Sequence, residues 1–159
     1  MHELVFASHS AEETRRLGRA LGEAIPSRSR LALSGPLGAG KTCFIQGLAE
    51  GMGCEEEARS PSYVLIHDYR GPRRLYHCDW YRLETNADVE STGFEDLLRE
   101  DAVVAVEWAE KHPGWLDEPR IEIEIECLEG DQRRIRMRFI GNALKAVFNE
   151  LGRIVRAES

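Results

Sequence analysis

No apolar run in the chain approaches the ~18 residues that a membrane-spanning helix needs, so no bilayer span is expected. Met1-His2-Glu3-Leu4 has neither the basic start nor the apolar stretch of a signal peptide, and cytoplasmic residence is the expectation. Cysteine is scarce and unpatterned. Cys43, Cys54, Cys78 and Cys127 show no Cys-x-x-Cys spacing, which argues against a zinc site and predicts free, buried thiols in a reducing compartment. Positive charge is in deficit: the net charge of −7 argues against broad, sequence-independent binding to nucleic acid. A small ligand or a protein partner fits that balance better. Internal repeats, low-complexity tracts and linkers are absent too, and 159 residues suffice for one compact domain spanning 1–159.

What the chain does have is Gly35-Pro36-Leu37-Gly38-Ala39-Gly40-Lys41-Thr42, the pattern Gly-x-x-x-x-Gly-Lys-Thr of a phosphate-binding P-loop. Glycines let such a backbone fold around an anion with successive N–H groups pointing inward. Lys41 can reach β- and γ-phosphates, and the Thr42 hydroxyl can ligate Mg²⁺. The context agrees, because Arg30 to Ser34 reads as a buried strand and Lys41 to Glu50 as a helix whose N-terminal dipole favours phosphate.

Around this loop the pattern predicts an α/β fold, a single P-loop NTPase-like domain with a C-terminal antiparallel hairpin. Leu4 to Phe6 is a short strand. Ser10 with Glu13 forms a capping box for a helix striped by Leu17, Leu21 and Ile25. Gly51-Met52-Gly53 breaks the P-loop helix. Ser60 to Tyr69 is loop then strand, Gly71-Pro72 a turn, and Leu75 to Cys78 a strand. Thr85 to Arg99 is helical in two pieces split at Gly93, and Ala102 to Val106 is an unbroken apolar run of the central-strand kind. In the hairpin, a tight loop centred on Gly130 sets Glu126 opposite Arg134, Glu124 opposite Arg136 and Glu122 opposite Arg138. These arginines then form a salt-bridged outer face. Asn142 to Ala157 is a closing helix, within a C-terminal helix and tail over 143–159.

A P-loop site also needs a carboxylate near Mg²⁺, at the end of a neighbouring buried strand. Glu107, directly after Val103 to Val106, and Asp79, directly after Leu75 to Cys78, are the candidates. A hydroxyl of Ser60-Pro61-Ser62, roughly twenty residues beyond the P-loop, could sense the γ-phosphate or complete the metal shell, as switch loops do, although taken alone the segment reads as an ordinary turn. His77, Tyr81 and Arg82 flank Asp79. An arginine beside the phosphates would stabilise developing charge, against the plainer alternative of a core histidine and a surface arginine. Trp108 either stacks on a base or packs. Two motifs are missing: no Asn-Lys-x-Asp guanine reader, and no arginine-rich lid beyond Arg70, Arg73 and Arg74, which weakens a small-molecule kinase reading.

Taken together, the P-loop, Ser60-Pro61-Ser62-Tyr63, Tyr76-His77-Cys78-Asp79-Trp80-Tyr81-Arg82-Leu83 and Val106-Glu107-Trp108 resemble the TsaE family (also called YjeE). The resemblance runs from about Leu4 to Phe139, and His-x-Asp-x-Tyr-Arg-Leu followed by Glu-Trp is its most specific mark. It implies a small ATPase with a central mixed sheet, using ATP and Mg²⁺ and acting with the TsaD and TsaB proteins in making threonylcarbamoyladenosine on tRNA. It implies contact with tRNA only through that complex. It also implies that Thr42 and Glu107 hold Mg²⁺, that Leu37, Gly38, Ala39, Gly40, Lys41 and Thr42 cradle phosphates, and that Asp79 acts near the metal or the attacking water. Lys41, Asp79 and Glu107 form the implied catalytic set, with Ala11, Ser62, Trp108 and Glu110 bordering the nucleotide. Ser62 stands where the family usually has Thr, and Ala109 where Pro is frequent. The competing expectations are a kinase using Asp79 as base for an acceptor hydroxyl, and a nucleotide-dependent binding switch with little turnover.

Overall fold

Seven strands form one mixed sheet in the computed structural model, which describes residues 1–55 and 66–158. In chain order they are β1 (His2–Ser8), β2 (Arg30–Ser34), β3 (Ile66–Tyr69), β4 (Leu75–Asp79), β5 (Val103–Glu107), β6 (Arg120–Cys127) and β7 (Arg133–Ile140). Across the sheet the order is β1-β7-β6-β2-β5-β4-β3. Strands β4, β5, β2 and β6 run parallel to one another, while β3 pairs antiparallel with β4 at one margin and β7 with β6, and β1 with β7, at the other. The helices are α1 (Ala11–Ala24), α2 (Lys41–Gly51), α3 (Asn86–Ser91), α4 (Phe94–Leu97) and α5 (Lys145–Glu158).

Period-two alternation sorts the side chains into two cores. Leu31, Leu33, Leu75, Val103, Ala105, Ile121, Ile123, Ile135, Met137 and Phe139 face α1, α2 and α5. Tyr76, Cys78, Val104 and Val106 face the other way, into a second cluster with Trp80, Val89, Phe94 and Leu116. Strand β5 is apolar on both sides because both clusters need it, as its unbroken run implies. The second cluster stops at β2. Beyond it, the same face of β6 and β7 carries the alternating glutamates and arginines.

The hairpin register is the one the alternation requires: Glu126 pairs with Arg134, Glu124 with Arg136, Glu122 with Arg138. The ion pairing is partly different. Arg134 meets Glu126 at 3.1 Å and Arg138 reaches Glu122 at 3.9 Å, but Arg136 turns to Glu3 on β1 at 3.1 Å. β1 docks on β7 with Glu3 opposite Arg138, which puts a third column of charge within reach. Half-exposed pairs of this kind contribute about 0–1 kcal/mol each, so they specify register more than stability.

Local signals were legible with small displacements. The Ser10 hydroxyl accepts the Glu13 N–H at 3.1 Å, but the Glu13 carboxylate accepts from His9 N–H at 2.6 Å, one residue short of the expected box. A full reciprocal box instead opens α3, between Thr85 and Asp88. The break at Gly93 and the closing helix appear where expected, the latter preceded by a short 3-10 turn over Asn142–Leu144. All four cysteines are free, yet only Cys78 is buried; Cys43 and Cys54 are half-buried and Cys127 is exposed. The expectation of buried thiols thus holds in full only for Cys78, and it fails outright at Cys127, which ends β6 beside the exposed hairpin turn.

Helices α1 and α2 touch through glycines that no periodicity of apolar residues announces. A Cβ on Gly18 would lie 2.1 Å from the Phe44 carbonyl oxygen, on Gly22 2.3 Å from that of Leu48, on Gly47 1.9 Å from that of Arg15, and on Gly51 2.1 Å from that of Arg19. Each helix thus offers two glycines one turn apart to the backbone of the other. This close approach seats α2, and with it the P-loop, against α1. Among the described residues, no helix is long and apolar enough to cross a membrane.

Candidate nucleotide-binding site

Parallel strands present their C-terminal ends along one edge of a sheet, where ligands of open α/β folds bind. Here that edge brings three elements into line. β2 runs into the P-loop, and its neighbour β5 pairs Glu107 with Leu33. On the other side of β5, Asp79 at the end of β4 pairs with Glu107. The P-loop therefore has one carboxylate on the adjacent strand and a second one strand further.

The loop needs its glycines. A Cβ at Gly35 would meet the Ile125 carbonyl oxygen at 2.5 Å, because β6 passes close behind. Gly40, the residue before α2, has φ 111°, a conformation that L side chains rarely adopt. Between the loop and the strand ends lies a cleft of about 290 Å³, lined by Leu37 to Cys43, Asp79, Tyr81, Glu107 and Trp108.

At its base, the Thr42 hydroxyl lies 2.9 and 3.1 Å from the two Glu107 carboxylate oxygens. Behind Glu107, His77 places Nε2 at 2.5 Å from Oε2, where a ring N–H donates to the carboxylate. Glu107 and His77 are each 4 % exposed. Burial pushes the Glu107 carboxyl upward, but the His77 hydrogen bond and charge, the Thr42 hydroxyl and Lys41 together outweigh it, so the group sits below its ordinary range. It is an anion held ready by a donor on each side. His77 is thus the buried partner of Glu107, a contact that its reading as a neighbour of Asp79, with a core histidine as the plain alternative, did not include. Its position two residues before Asp79, on the same face of β4, was the available signal.

Lys41, the first residue of α2, hydrogen-bonds the Gly35 carbonyl and reaches that of Pro36 at 3.5 Å. Its ammonium lies 3.4 Å from the centroid of the Trp108 ring. Burial lowers its pKa, against the opposing pull of Glu107, Glu110 and Asp79. Trp108 holds this place through a left-handed backbone, φ 62°, directly after β5, and its ring also lies 5.0 Å from that of Tyr81. Such a conformation in a bulky residue is an outlier that the surroundings must enforce. The Trp108 ring packs here against the P-loop lysine, Tyr81 and the second core cluster.

The remaining predicted residues divide. Asp79 lines the cleft, and its carboxylate accepts the Tyr81 N–H at 2.9 Å, which orients it across a tight turn. Glu110 accepts the Gly35 N–H at 3.3 Å, tying the start of the P-loop, yet it lines a neighbouring groove of about 370 Å³. Ala11 stands at the start of α1 outside the residues that line the cleft, and its carbonyl is the acceptor for the Cys43 thiol at 3.1 Å. Arg82 is exposed and also outside that lining set. Ser60, Ser62 and the switch-like role read for them lie outside the described residues.

The family model described as "Threonylcarbamoyl adenosine biosynthesis protein TsaE" matches residues 8–135. The chain belongs to the TsaE family. The TsaE "tRNA threonylcarbamoyladenosine biosynthesis protein" of Treponema pallidum is 38% identical over 128 residues, 80% of this chain and 95% of that one. The protein of the same description from Bacillus subtilis is 33% identical over 154 residues, 96% of each. Bacillus subtilis YdiB, a solved crystal structure, superposes with a TM-score of 0.79 at 31% identity, covering 97% of both chains. The TsaE match spans the P-loop, the β4 stretch and Glu107-Trp108 together, so the site lies wholly within the family's shared region.

The donor set at the base of the cleft suits a hard divalent cation of the Mg²⁺ kind. Mg²⁺ binds through one or two carboxylates and substrate phosphates, keeping several waters. One hydroxyl and one buried carboxylate in contact, at the foot of a phosphate-binding loop, match that need. Glu107→Ala is expected to weaken nucleotide binding at least about tenfold in the presence of Mg²⁺, and far less in its absence. Parallel titrations with Mg²⁺ and with a chelator check this. Equal losses in both would mean that the substitution had disrupted β5 instead.

Proposed function

We propose that this chain is a Mg²⁺-dependent ATPase subunit for threonylcarbamoyladenosine modification of tRNA, working with the TsaD and TsaB proteins and meeting tRNA only through them. The observation that carries the reading is the Thr42–Glu107 contact at the foot of the P-loop, with His77 behind it. Family membership supplies the biosynthetic context, through relatives whose names assign them to that modification.

Each residue's part follows from its position. The amides of Leu37 to Thr42 surround the phosphates. Thr42 and Glu107 would hold Mg²⁺, which when bound neutralises charge on the phosphate oxygens. Lys41 exchanges the Gly35 and Pro36 carbonyls and the Trp108 ring for phosphate oxygens, a stronger partner for a cation. His77 keeps the Glu107 carboxylate ionised and aimed. Asp79, one strand further along the edge, orients the attacking water.

The lone protein is expected to hydrolyse ATP slowly and to accelerate when TsaD and TsaB are added. Asp79 stands at the rim of the cleft beside half-exposed Tyr81, and a partner can complete a site left this open. Completion by one added arginine raises turnover by ~10³–10⁵ in GTPases, which sets the scale available. Asp79→Ala is expected to leave nucleotide affinity within about threefold and to remove most of the partner-stimulated rate. Steady-state ATPase assays of both proteins, alone and with partners, decide the matter. Fast turnover by the lone chain would favour an independent enzyme. Binding with no turnover under any condition would favour a nucleotide-dependent switch.

A further inference from the structure

One arginine of the hairpin breaks the pattern of the others. Arg134, Arg136 and Arg138 lie on the outer face and pair with glutamates. Arg133 is odd-numbered, so it shares the face of Ile135, Met137 and Phe139, the face that packs under α1, α2 and α5. Among the described residues it has no carboxylate partner. Its guanidinium is satisfied by carbonyls instead. Nη1 donates to Gly130 at 2.9 Å and Gln132 at 2.8 Å, closing the hairpin turn. Nε donates to the Ala39 carbonyl at 3.1 Å, and Nη2 reaches that of Gly38 at 3.4 Å.

Gly38 and Ala39 are the centre of the P-loop. Within a trans peptide, the carbonyl and the following N–H point in opposite directions. A carbonyl drawn toward Arg133 therefore turns the next N–H away from it. Arg133 does not line the cleft, whereas Gly38, Ala39 and Gly40 do. We propose that Arg133 is a positioning residue that grips the P-loop from behind and presets the Ala39–Gly40 peptide with its N–H toward the phosphates. This rests on the nucleotide-binding reading above. Backbone bonds hold the loop on either side, the Ala39 N–H on the Pro36 carbonyl at 3.1 Å and the Phe44 N–H on the Gly40 carbonyl at 2.9 Å. Arg133 holds the Gly38 and Ala39 carbonyls, between two glycines whose positive φ values, 78° and 111°, lie where glycine alone is unstrained. A guanidinium fork on two successive carbonyls holds this stretch without occupying the ligand space. It also fastens the β6–β7 hairpin to the site, although the two are more than ninety residues apart in sequence.

The decisive comparison is calorimetric titration of wild type, Arg133→Ala, Arg133→Lys and Arg134→Ala with two probes, ATP and inorganic pyrophosphate, both with Mg²⁺. Arg134→Ala breaks the neighbouring Glu126 pair on the opposite face and serves as the control for general damage to the hairpin. Arg133→Ala is expected to lose about tenfold in affinity, the scale of one hydrogen bond to a charged group. The factor should be the same for both probes, because only the phosphate cradle is affected. Arg133→Lys is expected to recover part of it, since an ammonium can still donate to one carbonyl. Should the alanine variant fail to fold, the lysine variant carries the test with a loss of a few-fold. Unchanged affinity in Arg133→Ala, or an equal loss in Arg134→Ala, would overturn the assignment while wild-type binding stood. Failure of wild type to bind either probe is a separate result that would remove the nucleotide-binding reading itself.

Discussion

Lys41→Ala is expected to weaken ATP binding by roughly 100-fold or more, with turnover lost alongside. Hydrogen bonds to charged groups contribute about 1.5–3 kcal/mol each, and a phosphate-facing ammonium makes more than one. Among the described residues that line the cleft, Glu107 and Asp79 are acidic and Lys41 is the cation that stands against the phosphates. Fold stability should change little. Lys41 is 4 % exposed, and burial depresses its pKa. Its removal relieves that desolvation while giving up two carbonyl contacts and the Trp108 ring, a cation–π contact of about 0.5–2 kcal/mol. These effects oppose one another. Calorimetric titration with ATP, paired with a thermal melt, tests both halves. Near-wild-type affinity and turnover would refute the P-loop assignment.

Gly47→Ala carries the largest expected effect on the fold. In an exposed helix this substitution stabilises by about 1 kcal/mol, because alanine has the better helix propensity. Here the added methyl would sit 1.9 Å from the Arg15 carbonyl oxygen and 2.8 Å from its carbon. Both are backbone atoms, so no rotamer change relieves the clash and α1 must move away from α2. Overpacking a tight interior costs about 1–3 kcal/mol and more where backbone must shift. The net expectation is a loss of about 2–4 kcal/mol, or roughly 5–15 °C in Tm for a chain of this size. Gly152→Ala is the internal contrast. In α5 the new methyl would meet only ordinary contacts, 3.7 Å from an Arg156 nitrogen and 3.8 Å from Leu4 Cδ2. That variant should melt at the same temperature as wild type or up to a few degrees higher. Paired thermal melts read the sign directly, and a raised Tm for Gly47→Ala would mean that the two helices do not approach as described.

Much of the site was legible because its signals are local. Strand, glycine loop and helix follow one another from Arg30 to Gly51, and the carboxylates stand at the ends of recognisable strands. The hairpin register was legible for the same reason, since a one-residue slip would invert every side chain of β6 and β7. What escaped local reading depends on partners distant in sequence. His77 becomes the Glu107 partner only when β4 lies beside β5. Arg136 leaves its cross-strand glutamate only because β1 brings Glu3 to the other side of β7. Ala11, placed at the nucleotide from family likeness, stands outside the cleft lining, and only the packing of α1 on α2 brings its carbonyl to the Cys43 thiol.

The sequence by itself determined which groups are available: a P-loop motif, a threonine hydroxyl at its end, and two carboxylates at strand ends, each specified by residue type at fixed spacing. The tertiary structure decided how those groups meet. Strand order set β5 between β2 and β4 and so brought Glu107 against Thr42, a choice that spacing along the chain cannot encode. Close helix packing through glycines seated α2, and the hairpin returned Arg133 to the back of the P-loop. Both are contacts between surfaces far apart in sequence, and they form only when the hydrophobic faces of the sheet and helices are buried together.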